Sequence, residues 1–299
     1  IGSSATKELY SSLTNAEAGP TDVITAFNSN GYSLGADADY SRYNLTANTY
    51  VDWLWKAGGA GVTNNAGSIT STVSANTTAG FSIVAYTGTG ASGTIGHGLG
   101  GTPEFVIHKA RDTAGAGGHN VWSVWHKDLG GNYGLFLNTT GARNPNMWAN
   151  YSSMSSTLIG LPDYDYAGVL NVKYVTYAFR SVPGFSKFGS WTANNSADGP
   201  FVYCGFRPKY ILFKNTTSTG TNWWVLDSVR NTYNVLGEGL FPQSAVAAAS
   251  TTVCDFLSNG VKFRSINLDW CANTTDTIAF AAFAESPFGG SNVSPAPAR

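Results

Sequence analysis

The stretch GFSIVAYTGTG at residues 80–90 is answered by GFSKFGSWTANN at residues 184–195. Whether this echo is chance or a repeated unit is decided by the residues that follow it. GTPEFVIHKA (101–110) aligns with FRPKYILFKN (206–215), setting Pro103 on Pro208, Phe105 on Tyr210 and Lys109 on Lys214. VWSVWHKD (121–128) aligns with NWWVLDSV (222–229), setting Trp122 on Trp223, Val124 on Val225 and His126 on Asp227. YVTYAFRSVPGF (174–185) aligns with IAFAAFAESPF (278–288), setting Phe179 on Phe283 and Pro183 on Pro287. The offset is 104 residues at both ends, from 80 to 184 and from 183 to 287, which marks two tandem units.

The first part of the chain then falls into place. AFNSNGYSLG (26–35) resembles DFLSNGVKFR (255–264), and TYVDWLWKAG (49–58) resembles TIAFAAFAES (277–286). Their offsets, 229 and 228, agree within one residue. We therefore expect residues 1–58 to be the C-terminal half of a truncated repeat and 59–79 (GAGVTNNAGSITSTVSANTTA) a linker. Residues 80–183 are expected to form one β-sandwich repeat, and 184–299 a second with a C-terminal tail. The chain begins at Ile1 and reads as a piece of something longer.

Within the units, EFVIHK, KYILFK, WSVWH, GLFLN and TIAFAAFA are short, rich in β-branched and aromatic residues, and bounded by Gly, Pro, Asn or Ser. That is strand chemistry. SNG at 29–31 and again at 258–260 sits where a tight hairpin calls for a positive φ. The best helical candidate, SAVAAAS (244–250), is at most two turns long. The expected fold is all-β: tandem antiparallel β-sandwich domains of lectin-like or jelly-roll-like type.

Composition bounds the function. The 299 residues are 42% hydrophobic and only 12% charged, with 17 basic against 18 acidic side chains. Such a balance offers no basic patch for a phosphate backbone, so no nucleic-acid partner is expected. No apolar run approaches the roughly 20 residues of a membrane-spanning helix, so no membrane insertion is expected. Cys204, Cys254 and Cys271 show no metal spacing and read as buried thiols, with a Cys254–Cys271 bridge as the alternative. Eight Asn-x-Ser/Thr sites do not establish secretion in a chain this rich in Asn, Ser and Thr.

The phrases GFSIVAYTGTG, GHGLGGTPEFVIHK, GFSKFGSWTANNSADGPFVYCGFRPKYILFKN and DFLSNGVKFR resemble a repeat domain of uncharacterised function. That domain occurs in large phage virion proteins, many of them marine, often tail-fibre-like and often beside lectin-like sandwich modules. The resemblance covers nearly the whole chain. It implies a place at the virion surface, other virion proteins as partners and a homo-oligomer, a trimer by analogy with fibres. It implies no catalytic motif and no cofactor.

Read from the residues alone, the carboxylate pairs Asp37/Asp39 and Asp163/Asp165 and the histidines His97, His108, His119 and His126 give no interpretable catalytic spacing. No enzyme activity and no metal site are expected. The nine tryptophans are more informative, because sugars stack on exposed indoles. Trp122 and Trp223 are matched between units and read as core anchors. Trp125 and Trp224 are specific to their units and stand at positions of opposite parity, so strand alternation predicts that they face outward. Together with His126 and Asp227 they form the candidate site for a host-surface polysaccharide. The competing expectation is a fibre spacer or capsid decoration protein whose only partners are virion chains.

Overall fold

The computed structural model describes residues 7–19, 22–28, 30–36, 43–112, 120–148, 150–162 and 164–285. Among them the chain forms nineteen strands, one α-helical turn, α1 (Tyr164–Ala167), and two 3-10 turns at Lys127–Leu129 and Tyr151–Ser153. The N-terminal part contributes β1 (Ile24–Asn28), β2 (Gly31–Leu34), β3 (Val62–Asn64) and β4 (Ser71–Asn76). The first unit contributes β5 (Phe81–Thr87), β6 (Thr94–Gly96), β7 (Phe105–Ala110), β8 (Ser123–His126), β9 (Leu135–Phe136), β10 (Leu158–Gly160) and β11 (Lys173–Phe179). The second contributes β12 (Ser186–Thr192), β13 (Phe201–Tyr203), β14 (Pro208–Asn215), β15 (Trp223–Asp227), β16 (Leu236–Gly239), β17 (Ala249–Leu257), β18 (Gly260–Phe263) and β19 (Thr277–Ala284). All ladders between these strands are antiparallel.

The repeat is visible as strand order. One sheet runs β3-β4-β5-β11-β7-β8-β9 and another β12-β19-β14-β15, so β5-β11-β7-β8 and β12-β19-β14-β15 are the same arrangement written twice. Register carries the correspondence to single residues. Phe105 lies opposite Phe179 and His126, and Tyr210 opposite Phe283 and Asp227. Lys109 faces Val175 where Lys214 faces Ala279. The opening echo itself is displaced by one residue, because Phe81 pairs with Phe179 whereas Ser186, not Phe185, pairs with Phe283.

The two units differ in their second layer. In the second unit β13-β18-β17-β16 faces β12-β19-β14-β15 across a core that includes Val202, Val253, Phe256 and Phe263 from one sheet and Ile211, Phe213, Trp224 and Phe280 from the other. In the first, the corresponding face is covered by the β6/β10 pair, α1 and irregular chain around Met147 and Trp148. Duplication is therefore close in one sheet and loose in what packs on it.

Several expectations are corrected. Residues 59–79 are not a linker, since β3 and β4 extend the first unit's sheet, with β4 paired along β5 from Ser71↔Tyr86 to Asn76↔Phe81. The Ser/Thr-rich composition hid a period of two: Ile69, Ser71 and Val73 are buried while Thr70 and Thr72 are exposed. SAVAAAS is not helical; its last residues open β17. Both SNG hairpins form, β1–β2 and β17–β18, yet neither Ser258 nor Asn259 has a positive φ. The three cysteines, by contrast, are free and buried as the main reading expected, and the alternative Cys254–Cys271 bridge is absent.

If β4 is an integral strand, placing a carboxylate at buried Val73 strands it without a partner. Val73→Asp should then lower the unfolding free energy by about 3 kcal/mol in denaturant titration, where a linker position would show under about 0.5.

Candidate functional site: a shared aromatic core with an open side

Alternation places Phe105 and Ile107 with Trp122 and Val124 on one face of the first unit's sheet, and Tyr210 and Leu212 with Trp223 and Val225 on the matching face of the second. These two matched faces are turned toward each other and share one core with Phe81, Phe179, Phe188 and Phe283. Phe105 stacks on Phe188 with ring centroids 5.7 Å apart. Trp223 crosses between units, its Nε1 donating to the Phe136 carbonyl at 3.0 Å.

The N-terminal segment completes this core. From Val51 to Gly58 the residues alternate between half-buried and exposed without belonging to a sheet, and Trp53, Trp55 and Ala57 point inward. By the offset of 228 residues Trp53 and Trp55 correspond to Ala281 and Phe283. Trp55 meets Phe283 at 5.3 Å and Phe179 at 6.4 Å, and those two meet each other at 5.9 Å, all edge-on. One aromatic from each of the three sequence units thus closes a triangle. Such contacts add roughly 0.5–1.5 kcal/mol each beyond the area they bury. Trp53 and Trp55 also pack edge-on against Tyr210, at 5.4 and 5.5 Å. Polar groups tie the segment down: Arg111 forks onto Glu17 at 2.8 and 3.1 Å, and the Trp122 indole donates to the Tyr10 carbonyl at 2.9 Å.

The proposed sugar site does not stand on this geometry. Trp125 is 7% exposed and Trp224 4%, against 7% for Trp122 and 3% for Trp223. The prediction failed because it assumed one wet face per sheet, whereas here both faces are covered. Trp125 packs in the first unit's own core and Trp224 in the second's, where its indole donates to Asp269 at 2.6 Å. His126 is buried between the sheets, its Nδ1 accepting from the Asp128 amide at 3.1 Å and its Nε2 donating to the Phe280 carbonyl at 3.2 Å. Asp227 accepts from the amides of Val229 and Arg230 and from Arg230 Nε at 2.7 Å, holding that guanidinium over the Trp53 ring at 5.9 Å. The four residues are structural. Asp37, Asp39, Asp163 and His119 lie outside the described residues. Among the described residues no group of three or more His, Cys, Asp or Glu is placed to hold a metal ion, and no helix is long and apolar enough to cross a membrane.

Two features escaped the sequence reading. The matched lysines are buried: Lys109 Nζ donates to the Ala110 carbonyl at 2.7 Å, and Lys214 Nζ to the Asn215 carbonyl and Thr221 hydroxyl, each at 2.6 Å. Burial lowers both to about 8. The second is open space. Two largely apolar cavities, of about 630 and 610 Å³, are both lined by Trp55, Phe81, Tyr210 and Phe283.

A family profile described as Domain of unknown function (DUF7483) matches residues 3–287, and the chain belongs to that family. The match takes in the N-terminal segment together with both complete units. No curated protein and no solved structure matches the chain.

Burial holds His97 and His126 down to about 4 and His108 to about 3, from 6.5. The unfolded chain therefore takes up these protons first, and stability rises with pH between about 4 and 6.5. Urea midpoints should fall steadily as the solution is acidified through that interval, and His126→Gln should flatten the slope. A midpoint constant from pH 7 to 4 would contradict the assignment.

Proposed function

We propose that this chain is a structural segment of a phage particle, a fibre-like or decorating module at the virion surface that works through rigid assembly with other virion chains. The observation that supports this best is the triangle of Trp55, Phe179 and Phe283. Equivalent residues of repeated units are used up in locking the units to one another, which is what a load-transmitting array needs. Each unit has apolar faces covered from both sides, and we read the second unit's two facing sheets as a lectin-like or jelly-roll-like sandwich adapted to stacking. In this reading the three-fold contact of a trimeric fibre is supplied within one chain, and any homotrimer is built from the outer surfaces.

Host-surface recognition is the second reading, moved to a different place. Phe201 and Tyr203 are exposed on the same face of the edge strand β13, beside Lys262, whose ammonium pairs with Asp198 at 2.7 Å. An open aromatic pair with a flanking ion pair suits a sugar ring stacked on its apolar face.

Gold-labelled antibodies against the chain, applied to purified particles, should decorate a fixed position on fibre or capsid. Particles without label and without the chain by mass spectrometry would overturn the proposal. Replacing Phe201 and Tyr203 with Ala should leave particle assembly unchanged, and only in the second reading would adsorption to host cells drop at least ten-fold.

A further inference from the structure

The matched faces of the two complete units do not close everywhere. Beside Phe105, His126 and Trp223 they leave only about 10 Å³, so these sheets are able to pack tightly. Where the middle of the first unit's sheet meets β14 and β19 they part and leave the cavity of about 630 Å³, with Leu9, Phe27 and Trp55 of the N-terminal part as a third wall.

Register locates the gap. Tyr177 lies opposite Ile83 of β5 and Ile107 of β7, which makes one row across the centre of the sheet. All three strands are paired on both sides, and Val84, Val106 and Ala178, beside these residues in sequence, are fully buried on the other face. Ile83, Ile107 and Tyr177 are only half-buried, because what they face is the cavity. The matching row of the second unit sets Leu212 opposite Ala281. At the offset of 104 residues Ala281 is the counterpart of Tyr177, so a methyl stands where the first unit has a phenol.

Inside the cavity one polar group stands open. Among the described residues the Tyr177 hydroxyl makes no hydrogen bond, and it is not closed off from the cavity. Burial pushes this phenol up to about 12, so it stands there as a neutral hydroxyl able to donate and to accept. The rim carries Lys7, Glu8, Glu17 and Arg111, two charges of each sign. Arg111 is forked onto Glu17, and Glu8 accepts from the Tyr10 and Tyr43 hydroxyls. The rim therefore has no net charge with which to select an ion.

We propose that this cavity is a binding site for an uncharged, largely apolar small molecule that carries one hydroxyl or carbonyl oxygen. The oxygen bonds to the Tyr177 hydroxyl, and the apolar body lies between the Ile83–Ile107 row and Leu212. A concave apolar lining with a single fixed polar group is the usual composition of such sites. A charged ligand would lose its hydration here without gaining a counter-ion, and a ligand with no polar atom would leave the hydroxyl unpaired. The inference holds whether or not the chain resides in a particle.

The probe is prodan, an uncharged naphthalene bearing a carbonyl, titrated against the full chain while its emission is followed. Saturable binding with a blue shift is expected. Ile83 and Tyr177 line this cavity and not the one of about 610 Å³, so variants at these positions report on this site alone. Ile83→Phe, which puts a ring into the open space, should weaken binding about ten-fold or more while the urea midpoint shows the chain folded. Tyr177→Phe keeps the ring, removes the hydroxyl and should weaken binding about five-fold. The anionic probe anilinonaphthalene sulfonate should bind about ten-fold more weakly than prodan. No saturable binding up to the solubility limit of prodan, or unchanged affinity in either variant, would overturn the proposal. So would equal or tighter binding of the sulfonate, or a dimer by light scattering whose formation excludes prodan, because a second copy would then fill the site.

Discussion

The contact of Trp55, Phe179 and Phe283 is the constraint from which most of the structure follows. A sheet with one apolar face needs one cover, but the repeated sheets here are apolar on both faces. The inner faces of the two complete units satisfy each other, and the N-terminal strand adds a third aromatic to the same point. Everything outward of those faces is then free to differ. The second unit builds a four-stranded sheet there, and the first uses a strand pair, a helical turn and loops around Trp148. Packing at the shared core is specific to residue positions, whereas packing outside it needs only sufficient apolar volume.

The repeat and its strand order were legible because aromatic and β-branched positions recur at a nearly constant offset. Pairings such as Phe105 with Tyr210 and Val124 with Val225 reappear in the ladder registers. What composition obscured was small and polar: β4 is built of Ser, Thr, Val, Ala and Asn, and only its alternation marks it as a strand. The candidate site was misread for a different reason. Parity along a strand tells which residues share a face, but it is silent on whether that face is wet. Trp125 and Trp224 do lie on the side opposite the matched anchors, and that side is a second core. The cavities lined by Trp55, Phe81, Tyr210 and Phe283 were not legible, because they depend on how the N-terminal segment seats against the two units.

The buried polar groups fit the same picture. His126 bridges the two units through the Phe280 carbonyl, Asp227 holds Arg230 against Trp53, and Lys109 and Lys214 occupy equivalent positions with carbonyl partners. Each carries a hydrogen bond that apolar packing alone would not direct, and buried polar groups with satisfied partners favour one arrangement over its neighbours. Of these, the His126 bond crosses from one complete unit to the other and makes the register between them costly to change.

The central claim is that three sequence units are held through one aromatic contact, and a double-mutant cycle between Trp55→Leu and Phe283→Leu tests it most directly. Residues 55 and 283 are far apart in sequence, so any coupling reflects the fold. The account predicts that each single variant lowers the unfolding free energy and that the double variant loses less than the two together, leaving a coupling of about 1 kcal/mol. Additivity within about 0.3 kcal/mol, with Trp55→Leu nearly silent, would show that the N-terminal strand does not share the core and would contradict the account.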